Sequence, residues 1–412
     1  MSLKVRSILV LVIGTVLGLT VSISSSMLAE RQPRPVANAS AIDDESLVLI
    51  TEALARVRNE YVDAVDEEEL VANAINGMLD GLDQHSRYLN RDQYEDIRIV
   101  TTGNYTGVGL DIEVRDGKVM VVAPLEDTPA ANAGIQAGDV VVAIDDMQIN
   151  ADELEAAVNR MRGRPGTEVR LDVSRGSDED LLSFSLTRAP IHVNTVLSEY
   201  LAGGYGYIRV TSFSDSTPEE LDAAADSLTA GGERSLKGVV LDLRDNPGGV
   251  LDAAIGVADR FLDAGLIVRG SGRIRQARFE QYAQPGGRLE SVPLVVLINR
   301  GSASGSEIVA GALKDHDRAE LIGQRSYGKG SVQSVVPLGA GSALKLTTAH
   351  YLTPHGTTIN GRGVEPDVVV RNSDPRNQYR GTASLVTISQ DRQLSHALES
   401  LGYDAIALSQ AQ

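Results

Sequence analysis

Near the start of the chain, the uncharged run Ser7 to Ala29 follows Lys4 and Arg6, and its most apolar part is Ile8 to Val21. This pattern predicts an export signal or a single membrane anchor over residues 1–30, then a Pro/Ala/Asn/Ser linker over 31–40. Beyond the linker, Leu47, Ile50, Leu54, Val57 and Tyr61 recur at steps of three and four, as one face of an amphipathic helix does. Val71, Ile75, Met78 and Leu82 repeat the pattern. Two such helices bury little alone, so the region 41–95 is expected to dock on another domain or to pair with a second subunit.

From about residue 96 the pattern shortens to β-runs with turn signals. "GVGLDIEVRDGKVMVVA" reads as strand, Asp116-Gly117 turn and strand. "TPAANAGIQAGD" predicts a short helix closed by Gly134, and "VVVAIDDMQI" another strand. Asn150 then caps a helix with Leu154, Val158 and Met161 on one face, ended by Pro165-Gly166 before the strand "TEVRLDVSR". These elements make one small mixed α/β domain over 96–190.

Over 191–372 strands and helices alternate. Thr217 as N-cap, with Pro218 and Glu220 behind it, predicts a helix start. "GVVLDLR" and "PLVVLINR" are near-continuous apolar runs, as in strands covered on both faces, and each leads through a glycine-containing turn into a helix. The fold class is therefore α/β, with a largely parallel core whose ligands are expected at the carboxyl ends of its strands. The tail 373–412 is polar and is expected to end in a peripheral helix without chemistry.

Composition narrows the function. A net charge of -18 argues against nucleic acid, since phosphate binding needs clustered Lys and Arg. With no cysteine there are no disulfides, thiolate zinc sites or cysteine nucleophile, and the six scattered histidines show no metal-ligand spacing. No metal or other cofactor is expected.

The candidate chemistry lies in three turns. In "GSASGSE" the spacing Ser304-Gly305-Ser306-Glu307 fits a capping box. The same serine lies between a buried strand and a helix start, where unpaired N–H groups favour an oxyanion. Capping and nucleophilic attack are both open on this stretch, and it lacks the GxSxG pattern. No histidine is placed to serve as base, but "SYGKGSVQ" offers Lys329 between Gly328 and Gly330. A glycine-flanked loop lysine is ordinarily solvated; as a base it must be neutral, far below its usual pKa of about 10.4. Gln333 is placed to orient it only if the chain bends, because a straight strand separates residues four apart by about 13 Å. In "LDLRDNPGG" the glycines either form a tight turn or bring an N–H to a ligand.

Taken together, "LDLRDNPGG", "LINRGSASGSEIVAGALKD", "GQRSYGKGSVQ" and "YLTPHGTTINGRGVEPD" resemble the carboxyl-terminal processing, or tail-specific, proteases over roughly residues 41–372. The resemblance implies a ClpP/crotonase-like α/β core with Ser304 as nucleophile, Lys329 as general base and Gln333 supporting the lysine. The backbone N–H groups of Gly249 and Gly305 would form the oxyanion hole, with Gly305 standing where the family more often has alanine. His355 and Gln84 also depart from the family's commoner residues, Gln84 replacing a proline in "GLDQHSRYLN". The 96–190 region resembles the family's PDZ domain, with Gly107, Val108, Gly109 and Leu110 as its carboxylate-holding loop. A substrate C-terminus would then add as a strand between "LDIEV" and the helix at 151–162.

In function, the resemblance implies a serine endopeptidase, and the N-terminal segment with Lys4 and Arg6 predicts that it is exported to the bacterial periplasm or cell envelope. It would process envelope proteins with accessible C-termini through an acyl-enzyme, without metal or nucleotide. An adaptor protein and a homo-oligomer through the N-terminal helices are implied as partners, and PDZ movement would switch resting and active arrangements. The competing readings are a catalytically silent PDZ peptide-binding scaffold of the same fold and a binder of acyl or lipid ligands.

Overall fold

The computed structural model describes residues 43–403, apart from residues 116, 126, 151, 153, 177–179, 231–234, 373–377 and 382–386. The expected export segment, the linker and Asp116 of the expected turn lie outside the described residues. The chain divides at Ile75 into two compact units. In the first, α1 (Asp44–Glu60) is capped by the Asp43 carboxylate, which accepts the Ser46 N–H at 2.7 Å. None of its residues is buried: Leu47 is 48% exposed and Ile50 46%. α2 (Glu67–Asp80) begins with three glutamates, which complement the positive end of the helix. No helix among the described residues is long and apolar enough to cross a membrane.

The second unit continues with β1 (Arg87–Leu89) and α3 (Arg91–Thr102), where the sequence pattern predicts short β-runs from about residue 96. Asn90 and Gln93 form a reciprocal capping box, and Gly103 in the left-handed region ends the helix. It is a polar helix with few apolar residues, and the first β-runs read from the sequence fall inside its range.

The small domain is fastened at its ends, where β2 (Asn104–Gly107) pairs antiparallel with β9 (Ala189–His192). Between them lie β3 (Leu110–Arg115), β4 (Lys118–Pro124), α4 (Pro129–Ala133), β5 (Val140–Ile144), β6 (Met147–Gln148), α5 (Leu154–Met161), β7 (Glu168–Arg175) and β8 (Asp180–Thr187). The sheet order is β3-β4-β5-β7-β8, antiparallel throughout, with β6 on β5. Val121, Ile144, Leu171 and Val173 fill its core, and α5 closes it with Ala157 and Met161. Alternate residues of β7 are buried, as a sheet with one solvated face requires.

The core follows as β10 (Val196–Leu201), β11 (Tyr205–Val210), α6 (Thr217–Thr229), β12 (Gly238–Asp242) and α7 (Leu251–Asp259). Next come β13 (Leu266–Gly272), β14 (Phe279–Tyr282), β15 (Leu294–Ile298), α8 (Gly305–Asp315) and β16 (Glu320–Gly323). The hairpin β17 (Ser331–Pro337) and β18 (Ala343–Leu352), β19 (Val368–Val369) and α9 (Arg392–Ser400) complete it. Ser216 occupies the N-cap of α6 in place of the expected Thr217, whose hydroxyl instead accepts the Ser214 N–H at 2.8 Å.

One sheet runs β10-β11-β12-β15-β16-β19, parallel from β11 onward. Leu221, Val257 and Val309, from α6, α7 and α8, pack with Ile208, Leu241 and Val296 on one face. On the other face Tyr207, Val240, Val295 and Leu297 meet Leu394, Ala397 and Leu398 of α9. The apolar runs are thus buried on both sides, and the helix expected to be peripheral supplies one of the covers. A buried network anchors it: Arg244 pairs with Asp242 (2.7 Å) and with Asp391 (2.9 Å), the N-cap of α9.

A second sheet, β1-β18-β13-β14 with β17 on β18, is antiparallel. The sequence pattern assigns β13, β14, β17 and β18 to the largely parallel core and residues 87–89 to the helical region 41–95, because periodicity identifies a strand but not its partner. β1 joins the sheet from beyond the small domain, and Ser86 Oγ secures the junction by accepting the Thr347 N–H at 3.1 Å.

Candidate active site

Parallel strands side by side deliver their following turns to one edge. β12 and β15 are such neighbours, with Leu241 opposite Val296, so the turn after Asp242 meets the serine turn after Ile298. Asn246 locks the two together. Its side chain donates to the Val210 carbonyl (2.9 Å) and accepts the Gly248 N–H (2.8 Å). Its carbonyl accepts the Ala303 N–H (3.0 Å) and the Ser306 hydroxyl (2.9 Å). Ser302 is equally committed, donating to the Leu243 carbonyl (2.7 Å) and accepting the Asn299 N–H (3.0 Å). Ser304, by contrast, is half-buried and faces a cleft.

Ser304 has φ 54° and ψ -110°, a conformation that non-glycine residues hold only when their surroundings impose it. The contacts on either side do so. A Cβ on Gly248 would stand 2.7 Å from the Ser304 Cβ and 2.9 Å from the Gly305 nitrogen, so the two turns touch backbone to backbone. Gly249, at φ 151°, has no room for a side chain, since its Cβ would lie 2.0 Å from the Phe213 carbonyl oxygen. At Gly305 an added methyl would come within 2.8 Å of the Phe213 ring, a packing reason for glycine at this position. Among the described residues neither the Gly249 nor the Gly305 N–H has a hydrogen-bond acceptor.

Glu307 does more than cap α8. Its Oε2 accepts the N–H groups of Ser304 and Lys329, both at 2.8 Å. Its Oε1 accepts the Gly328 N–H (2.7 Å) and the Ser326 hydroxyl (2.5 Å), and Ser326 in turn accepts the Val364 N–H (2.7 Å). Burial pushes the Glu307 carboxyl above its ordinary range, while these donors pull it back. The helix start is thereby held by the glutamate in a capping box with Ser304. The Ser-x-x-Glu spacing marks the cap in the sequence, but nothing there shows that the carboxylate is fully buried or reaches a loop beyond residue 325.

Lys329 is half-buried, and burial lowers its ammonium below the usual lysine range, against the raising influence of Glu307. It shares with Ser304, Gly249 and Gln333 one cleft of about 660 Å³, also bounded by Leu251, Tyr351 and Lys345. α3, absent from the elements read in the sequence, contributes Gln93, Asp96 and Ile97 to the wall. Among the described residues no hydrogen bond joins the Ser304 hydroxyl to the Lys329 amine. The bend required for Gln333 is present as a register shift between Val332 and Gln333. Its amide, however, donates to Ser331 Oγ (2.7 Å) and Thr347 Oγ1 (3.5 Å), not to Lys329.

The small domain carries a second groove, of about 190 Å³, between β3 and α5. Gly107, Val108, Gly109 and Leu110 line one end, and Ile112, Val158 and Met161 line its sides. Gly109 turns at φ 80°, and a side chain there would collide with Thr128, whose hydroxyl donates to the Gly109 carbonyl at 3.2 Å. A loop followed by a free strand edge and a facing helix is the geometry that accepts an added peptide strand.

Comparison with known proteins gives these features a common setting. The family descriptions "Peptidase family S41", "PDZ domain" and "Activating protease CtpB N-terminal domain" match residues 204–370, 106–186 and 11–93. The carboxy-terminal-processing protease of Bartonella bacilliformis is 45% identical over 327 residues, covering 79% of this chain and 75% of that one. The carboxy-terminal processing protease CtpA of Bacillus subtilis is 32% identical over 364 residues, covering 87% and 74%. Among solved structures, a photosystem II D1 C-terminal processing protease aligns with TM-score 0.47 and 32% identity over 80% of this chain and 94% of that chain. The chain therefore belongs to the carboxy-terminal processing proteases, serine peptidases of family S41 that carry a PDZ domain.

Proposed function

We propose that the protein is an exported endopeptidase in which Ser304 attacks the peptide bond and neutral Lys329 is its base. The observation that carries this reading is the shared use of Glu307 Oε2 by the Ser304 and Lys329 N–H groups, at 2.8 Å each. It pins the serine turn and the lysine loop to one buried atom at the edge of one cleft.

As Ser304 Oγ bonds to the substrate carbonyl carbon, its proton passes to the Lys329 amine. The Gly249 and Gly305 N–H groups receive the oxyanion. The resulting Lys329 ammonium returns the proton to the departing amine, the C–N bond breaks and an acyl-enzyme remains. Lys329 then takes a proton from water, which releases the acyl group and restores Ser304. Since Lys329 does not hydrogen-bond Ser304 and Gln333 is held by Ser331, this arrangement is a resting one. Activation turns the lysine toward the serine and frees Gln333 to support it, with movement of the PDZ domain as the trigger.

The PDZ loop at Gly107–Leu110 holds the terminal carboxylate of the substrate, and its groove takes the apolar residues before it. Residues 1–30 direct the chain to the cell envelope, so the substrates are envelope proteins with free C-termini, delivered directly or by an adaptor. The exposed apolar face of α1, with Leu47 and Ile50, pairs with a second copy of the chain. Light scattering is expected to give a dimer that Leu47→Glu with Ile50→Glu converts to monomer.

The PDZ assignment is tested with two peptides identical except for a free carboxylate or an amide at an apolar C-terminus. The amide is expected to raise KM on the order of tenfold, as loss of a charged group from a backbone-amide nest does. Equal KM values would remove the loop from substrate recognition. Binding of both peptides without any cleavage would favour the silent scaffold.

A further inference from the structure

The active-site cleft holds two cations that the hydrolytic reading does not use. Arg87 on β1 and Lys345 on β18 are directly opposite each other in the antiparallel register. Residues paired in this way project from the same face of a sheet, where like charges destabilise the pairing. Both line the cleft with Ser304 and Lys329. Lys345 is half-buried, which adds a desolvation cost to the repulsion.

No carboxylate among the described residues relieves them. Neither Arg87 nor Lys345 forms an ion pair there, and the charges acting on Lys345 are the cations Lys329 and Arg87. The acids around them are already engaged: Asp96 of the cleft wall pairs with Arg162, Asp83 accepts from His85 and Ser86, and Glu307 accepts the hydrogen bonds that hold the two turns. A chain of net charge -18 thus concentrates unpaired positive charge beside its candidate nucleophile.

We propose that Arg87 and Lys345 form a subsite for a carboxylate side chain, so that the enzyme prefers substrates with Asp or Glu close to the scissile bond. The inference rests on the cleft's being where substrate is cleaved. The terminal carboxylate sits on the PDZ loop, so the anion met by this pair is a side chain. Two cations sharing one carboxylate would offset the repulsion between them and the partial burial of Lys345.

The test uses the full-length protein and fluorogenic peptides that share one apolar free C-terminus. A single Glu, or Gln in its place, is scanned through the cleaved segment. At one or two adjacent positions Glu is expected to raise kcat/KM on the order of tenfold over Gln. Lys345→Met and Arg87→Gln should each bring that ratio toward one, while Lys345→Arg keeps it. The ratio is internal to each variant, so a general loss of activity or stability does not move it. In parallel, Ser304→Ala protein is titrated with the same pairs by fluorescence anisotropy and should show the preference in Kd. Glu and Gln peptides that bind and react alike at every position, or a preference kept by the Arg87→Gln/Lys345→Met double variant, would overturn the subsite. Loss of all cleavage with the Kd preference intact would contradict the Ser304/Lys329 reading and leave the subsite standing.

Discussion

Replacing Ser304 by alanine is expected to lower kcat by about 10⁴-fold or more, and Lys329→Ala should cost nearly as much, because groups that act as one unit are not additive. The double variant should therefore be little worse than either single one. Lys329→Arg is expected to be as inactive as the alanine variant, since a guanidinium stays protonated and cannot accept the serine proton. The same argument fixes the direction of the pH profile. Burial holds the Lys329 amine below the ordinary lysine range while Glu307 pulls it upward, and only the neutral amine is a base. Activity is absent well below the lowered pKa, rises through it and levels off above it. Measuring kcat/KM against pH should locate that rise short of the usual lysine value of about 10.4. A profile flat across this range, or full activity in Lys329→Arg, would remove the lysine from the base role. Thermal unfolding of each variant checks that the fold is retained.

Glu307→Ala is expected to have the next largest effect. Its carboxylate accepts from Ser304, Ser326, Gly328 and Lys329, so its removal leaves four donors without their acceptor in a buried site. Stability should fall by about 4 kcal/mol or more, since each buried donor left unpaired costs about 1–3 kcal/mol. In addition kcat should drop on the order of 10²-fold or more, because the serine turn and the lysine loop lose the atom that registers them. The carboxylate is fully buried and so out of a substrate's reach, and KM should change little. Glu307→Gln keeps one acceptor oxygen and turns an NH₂ toward donors, and should fall between the two. A Glu307→Ala enzyme that unfolds at a lower temperature but keeps its kcat would assign this residue to stability alone.

Several parts of this architecture are legible in the chain. Apolar runs ending in "RDNPGG" and "NRGSASGSE" mark buried strands followed by turns, and it is the resemblance to the family, not that pattern, that implies Gly249 beside Ser304. Other parts depend on partners that periodicity does not encode. α3 carries few apolar residues and is not read from the pattern, yet it supplies a wall of the cleft. β1 has only three residues, and its pairing with β18 brings Arg87 opposite Lys345 from the far side of the small domain. α9 looks dispensable until Asp391 is found holding the fully buried Arg244. Gln333 has the register shift its role requires but hydrogen-bonds Ser331, and which neighbour an amide takes depends on side-chain placement, not on spacing.

The central claim is that Ser304 carries the substrate covalently while Lys329 moves the proton. It is tested most directly by rapidly quenching the protein in acid during turnover of an activated peptide ester and mapping the attached acyl group by mass spectrometry. The expected result is a single acyl adduct on Ser304 that builds up far more slowly in Lys329→Ala and is missing from Ser304→Ala. An adduct on Ser302, Ser306 or Lys329, or one that forms equally fast without the lysine, would contradict it.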